Sequence, residues 1–112
     1  MTDLSGIIEK AYDEIDQLNS KTASSELLAA VAESLNQLDS GEIRLAQPDE
    51  DGWKVNEWVK KAVVLYFPIQ EMKTIEAGPL EFHDKIPLKK DFKKRGIRVV
   101  PHAVARHGSF IN

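Results

Sequence analysis

Apolar residues recur at helical spacing twice within the first 38 positions, and that spacing stops at Glu42. In residues 4–18 the stripe is Leu4, Ile7, Ile8, Ala11, Tyr12, Ile15 and Leu18, with Glu9, Asp13, Glu14 and Asp16 mostly elsewhere. The period predicts an amphipathic helix whose first turn is capped by Thr2 or Asp3, either of which can accept backbone N–H bonds. Asn19-Ser20-Lys21 ends it. A second stripe follows in Leu27, Leu28, Val31, Ala32, Leu35 and Leu38, with Thr22 or Ser24 as cap and Gly41 suited to a left-handed stop. So short a connection makes the two helices antiparallel neighbours, packed stripe to stripe. Each large side chain buried between them is worth about 1.5–3 kcal/mol, so neither stripe is stable in water alone.

Beyond Glu42 the apolar residues alternate. Ile43 and Leu45 interleave with Glu42 and Arg44, and Trp53 and Val55 with Lys54 and Asn56, around the turn-rich Pro48-Asp49-Glu50-Asp51-Gly52. This predicts a β-hairpin. Asn56 then caps a third helix that turns Val59, Ala62, Val63, Tyr66 and Phe67 inward and ends at Pro68. Residues 72–90 hold no period and are punctuated by Gly78-Pro79 and Ile86-Pro87, so they read mostly as loop. Residues 91–95 predict one helical turn closed by Gly96, and residues 97–100 a short strand closed by Pro101. The fold class is α+β.

The chain's 112 residues suffice for one domain and not two. Without cysteine, a disulfide framework and thiolate chemistry are both excluded. No basic stretch followed by an apolar one opens the sequence, and the longest apolar run, residues 62–67, is far too short to cross a bilayer. The reading is a soluble cytoplasmic chain with no membrane partner. Charge is distributed unevenly: residues 1–52 carry 12 acids and 3 bases, residues 53–112 carry 6 acids and 12 bases. That polarity fits an anionic ligand near the C-terminal half, pairing between subunits, or merely a solvated acidic face.

The segment Gly96-Ile97-Arg98-Val99-Val100-Pro101, continuing to Ala105-Arg106-His107-Gly108-Ser109-Phe110-Ile111, resembles the junction between two parts of the tetrahydrodipicolinate N-succinyltransferases. Leu38-Asp39-Ser40-Gly41 with Arg44, and Trp53 followed by Trp58-Val59-Lys60-Lys61-Ala62-Val63, are similar to that family's helix–hairpin–helix stretch. Phe82 with Asp84-Lys85-Ile86-Pro87 resembles its loop before the junction. His102 departs from the pattern, standing where the family often has a second proline. The resemblance implies an N-terminal α+β domain over residues 1–101. Residues 102–112 become the junction and first strand of a left-handed parallel β-helix whose hexapeptide repeats do not follow Asn112.

It further implies transfer of a succinyl group from succinyl-CoA to tetrahydrodipicolinate, in the diaminopimelate route to lysine, by a homotrimer with no tightly bound cofactor. The acyl-CoA groove belongs to the absent repeats, so these residues alone are expected to be inactive. Arg98 falls on the family's substrate-binding arginine and is expected to hold an acceptor carboxylate, for which a planar guanidinium is well suited. The competing reading pairs Arg98 with Asp84 or Asp91 on the surface. No general base is identified. Arg106 and His107 could approach the cofactor or a neighbouring subunit, but a structural role is favoured. His83, His102 and His107 are too scattered for a metal site. Trp53 and Trp58 read as core or subunit-packing residues, and Lys60-Lys61 as a solvated face. The run Lys89-Lys90-Asp91-Phe92-Lys93-Lys94-Arg95 could neutralise phosphates. In an acidic chain with no nucleic-acid motif it reads instead as a charged loop. The alternative function is a non-catalytic oligomerisation or interaction domain.

Overall fold

The computed structural model describes residues 3–112 and contains helices with two small antiparallel sheets, an α+β architecture. Helix α1 spans Leu4–Tyr12 and is capped by Asp3, whose carboxylate accepts from the Gly6 N–H at 3.1 Å. Thr2, the other candidate cap, lies outside the described residues. The stripe expected to run as one helix to Leu18 is divided, with a 3-10 turn at Ile15–Gln17. Asp13, Glu14 and Asp16 cluster where the helix would end, against its negative pole, which weakens further α-helix there. Ile15 and Leu18 still pack on the core.

Helix α2 (Ser25–Ser40) has both predicted ends. Ser24 Oγ accepts from the Leu27 N–H at 3.1 Å, and Gly41 stops the helix at φ +83°. Its stripe is buried at Leu27, Val31, Leu35 and Leu38, while Ala32 is exposed. Helix α3 (Glu57–Ile69) completes a three-helix core in which Ile8, Val31, Val59, Ala62 and Leu65 have no exposed surface. Pro68 does not end α3: it sits inside the last turn, and the Gln70 N–H still reaches the Tyr66 carbonyl at 3.2 Å. Leu65 and Ile69 fill the place expected of Phe67, which is exposed. Asn56 precedes the helix without capping it; its side-chain amide instead donates to the Arg44 carbonyl at 2.7 Å.

The first hairpin forms with its leading strand later than the expected residues 42–45, while its second strand lies within one residue of the expected 53–56. Strands β1 (Ala46–Asp49) and β2 (Gly52–Val55) pair with Pro48 opposite Trp53, so Pro48 lies in the strand and Glu50-Asp51 make the turn. Every residue of both strands is exposed. A second hairpin occupies part of the stretch read as loop: β3 (Lys73–Ala77) pairs with β4 (Leu80–Asp84) across Gly78-Pro79. Gly78 at φ +63° followed by the fixed φ of proline has the sign pattern of a type II′ turn, which suits two-residue hairpins. Its sequence signal is short, two apolar positions per strand, of which Ile75, Ala77 and Phe82 are half-buried and Leu80 is exposed.

After β4 the chain returns to the helices. Ile86 is buried among them, and the Tyr66 hydroxyl donates to the Lys85 carbonyl at 2.7 Å. Helix α4 (Phe92–Arg95) is the expected single turn, closed by Gly96 at φ +72°. Residues 97–100 are not a strand. Their composition suits one, but among the described residues no neighbouring strand supplies the ladder that extended backbone needs. Pairing resumes only at the isolated bridge between Leu88 and Arg106. Among the described residues no helix is long and apolar enough to cross a membrane.

Candidate functional site

Gly96 ends α4 in the left-handed conformation and releases the chain into the segment that carries Arg98. The Ile97 N–H reaches back to the Phe92 carbonyl at 2.8 Å. A turn follows, in which the Ala103 N–H bonds the Val100 carbonyl at 3.0 Å. Pro101 occupies its second position and His102 its third, at φ +76°, the sign that a type II turn demands there. Proline, whose φ is fixed near −65°, cannot adopt that conformation, so a second proline at this position requires a different turn.

Arg98 is exposed and makes no ion pair or side-chain hydrogen bond among the described residues. Asp84, one of its two candidate partners, is instead 2.8 Å from Arg106. Ile97, Val99, Val100, Val104 and Ile111 border a shallow hollow of about 400 Å³, and Arg98 is the one charged residue on its wall. An uncommitted guanidinium beside apolar surface can bind a carboxylate whose carbon chain lies against that surface.

The other candidates separate from Arg98. Arg106 is bound to Asp84, and His107 Nε2 stands 2.9 Å from Asn36 Oδ1, so both tie the C-terminal segment to the residues before it. His83 lies on β4 beside Thr74, and His102 is in the turn. Trp58 packs partly into the core, whereas Trp53 is 73% exposed and packs on no core among the described residues. Lys61 is not simply solvated: it is 2.6 Å from Glu9 and lies over the Tyr12 ring, and the Glu9 carboxylate raises its pKa. The basic run is not one phosphate-facing patch, because Lys89 is buried and Arg95 turns to the same carboxylate as Lys89.

That carboxylate, Asp39, is the feature sequence reasoning missed. It sits on the last turn of α2 and is buried with Lys89, its Oδ1 2.6 Å from Lys89 Nζ and 3.0 Å from the Gly108 N–H. Arg95 Nη1 approaches Oδ2 at 3.5 Å, and His107 Nδ1 is 3.6 Å from Oδ1. Burial pushes the Asp39 carboxyl up, but the Lys89 and Gly108 hydrogen bonds and the His107 and Lys89 charges outweigh it and hold the carboxyl below the ordinary aspartate range. The signal was present. An aspartate beside Leu38 and four residues after Leu35 falls near a buried stripe, where a carboxylate must find a cation. Nearby, Phe110 packs on Gly41, and the Arg44 guanidinium lies 4.3 Å from the centre of its ring. The Leu38-Asp39-Ser40-Gly41 motif with Arg44 therefore forms a socket for the C-terminal segment.

A family model described as the tetrahydrodipicolinate N-succinyltransferase N-terminal region matches residues 3–69. The chain is 41% identical over 115 residues to a 2,3,4,5-tetrahydropyridine-2,6-dicarboxylate N-succinyltransferase of Coxiella burnetii, covering 99% of this chain and 42% of the relative. It is 44% identical over 117 residues to the protein of that name from Pseudoalteromonas translucida, and 42% identical over 117 residues to that from Legionella pneumophila, with the same coverage in both. The chain thus spans about two fifths of the length of the curated relatives it matches. The chain belongs to the tetrahydrodipicolinate N-succinyltransferase family and corresponds to its N-terminal region.

Proposed function

We propose that this chain is the N-terminal, acceptor-side part of an enzyme that moves a succinyl group from succinyl-CoA to tetrahydrodipicolinate, in the cytoplasmic diaminopimelate route to lysine. The observation that carries the reading is Arg98: an exposed guanidinium with no carboxylate partner among the described residues, alone in charge on an apolar hollow. The acceptor named in the relatives is a dicarboxylate. One of its carboxylates would take two charge-assisted bonds from the guanidinium. Direct acyl transfer to an amine needs the two substrates aligned and the tetrahedral oxyanion stabilised, with no covalent enzyme intermediate. Arg98 supplies alignment of the acceptor. Residues 1–101 form the domain, and residues 102–112 lead into a β-helix of hexapeptide repeats that completes the acyl-CoA groove and the trimer.

CoA-thiol release from succinyl-CoA with tetrahydrodipicolinate, measured for these 112 residues and for the longer gene product side by side, tests the assignment. Activity confined to the longer protein is the expected result. Activity in neither overturns the enzyme reading, and activity in the 112 residues alone overturns the division of labour.

One observation favours an interaction role beside catalysis. Trp53 is 73% exposed, and Val55, two positions along the same strand and so on the same face, is 58% exposed. Large apolar groups gathered at one place mark a packing surface more often than scattered ones do. Gel filtration of the chain separates the cases: assembly supports a packing role in these residues alone, and a compact monomer counts against it.

A further inference from the structure

Arg95 on one side of Arg98 and His107-Gly108 on the other both turn to one carboxylate, that of Asp39. Between these ties the segment holds itself weakly. Past Ile97, its only backbone hydrogen bond among the described residues before Ala105 is the turn from Ala103 to Val100. An aspartate in the last turn of a helix faces the negative pole of the helix dipole, an unfavourable place unless cations and N–H groups offset it. Lys89, Arg95 and the Gly108 N–H do so here, at 2.6, 3.5 and 3.0 Å. The anchor itself is rigid, because α2 is fixed in the core through Leu35 and Leu38.

We propose that Asp39 is a positioning residue for Arg98, closing the loop between residues 95 and 108 from the end of α2 and so fixing where the guanidinium meets an acceptor carboxylate. This rests on the reading of Arg98 given above. Closing a loop confines its ends and narrows the space its middle explores. A two-point bond between guanidinium and carboxylate is sensitive to such confinement, since a displacement of about 1 Å can cost on the order of a hundredfold in rate. Because Asp39 is already paired with Lys89, it does not compete with the substrate for Arg98.

Two arms test the proposal. In the first, Asp39→Asn and the double variant Arg95→Met/His107→Ala are digested briefly with trypsin. The double variant leaves the buried Asp39–Lys89 pair in place, so its fold is kept even if Asp39→Asn fails to fold. Faster cleavage after Arg98, with cleavage after Lys60 in α3 unchanged, is expected; equal cleavage after Arg98 in the double variant and the wild type overturns the latch. In the second, steady-state constants are measured in the longer gene product. The loosened variant is expected to raise the acceptor KM about tenfold while leaving the succinyl-CoA KM alone, and to add nothing in an Arg98→Ala background, as for groups acting through one contact. Equal effects with and without Arg98, or a rise in both Michaelis constants, mean that Asp39 acts otherwise. If Arg98→Ala itself leaves the acceptor KM unchanged, the functional reading fails, while proteolysis still decides whether the segment is held.

Discussion

Lys89 reaches Asp39 from 50 positions away, and its side chain is only 2% exposed. Removing one member of a buried pair leaves the charge of the other uncompensated. Asp39→Ala is therefore expected to lower stability by about 3–5 kcal/mol, read as a shift in the urea midpoint. The sign with pH follows from the lowered carboxyl. A depressed folded pKa contributes stability that is complete above the ordinary aspartate value, about 3.9, and is lost as pH falls through the folded value. The gap in Tm between the wild type and Asp39→Asn should hold near neutrality and narrow below about pH 4. A gap unchanged from neutral pH down to the acid limb contradicts this account. Arg98 stands out in the sequence only through its motif, since nothing in residue type distinguishes it among 15 bases. Asp39 was within reach of the stripe argument, but its partners lie too far along the chain for any local pattern to name.

Helix α2 was readable at both ends because its signals are local: a serine three residues before a backbone donor, and a glycine after the last apolar position. Ser24→Ala should cost about 1 kcal/mol through the lost cap. Gly41 is doubly constrained, since a Cβ there would stand 2.9 Å from the Phe110 ring on a backbone at φ +83°. Gly41→Ala is expected to cost more than the roughly 1–2 kcal/mol of the left-handed conformation alone, and urea melts should show it. The misread elements share a cause. Residues 97–100 have strand-like composition but no partner among the described residues, whereas β3 and β4 have a partner but only a short alternation each, Ile75 and Ala77 about Glu76 and Leu80 and Phe82 about Glu81. Strand formation depends on a neighbour that a single stretch of sequence does not reveal. The first hairpin slipped for a related reason: all its side chains are exposed, so no buried face sets the register.

Across the whole molecule the charge asymmetry is partly resolved within the chain. Glu9 with Lys61, and Asp39 with Lys89 and Arg95, join acids of the first half to bases of the second. Lys90, Lys93 and Lys94 remain exposed. The helical core and the C-terminal segment are thereby one connected unit, with Ile86 in the core, Arg106 on Asp84 and Phe110 on Gly41. This connection presents Arg98 outward from a fixed base. The measurement that bears most directly on that arrangement is the dependence of CoA release on acceptor concentration for Arg98→Ala in the longer gene product. Loss of a charged hydrogen bond worth about 1.5–3 kcal/mol predicts an acceptor KM raised roughly ten- to a hundredfold with the succinyl-CoA KM unchanged. An acceptor KM equal to that of the wild type would contradict the placement of the acceptor at Arg98.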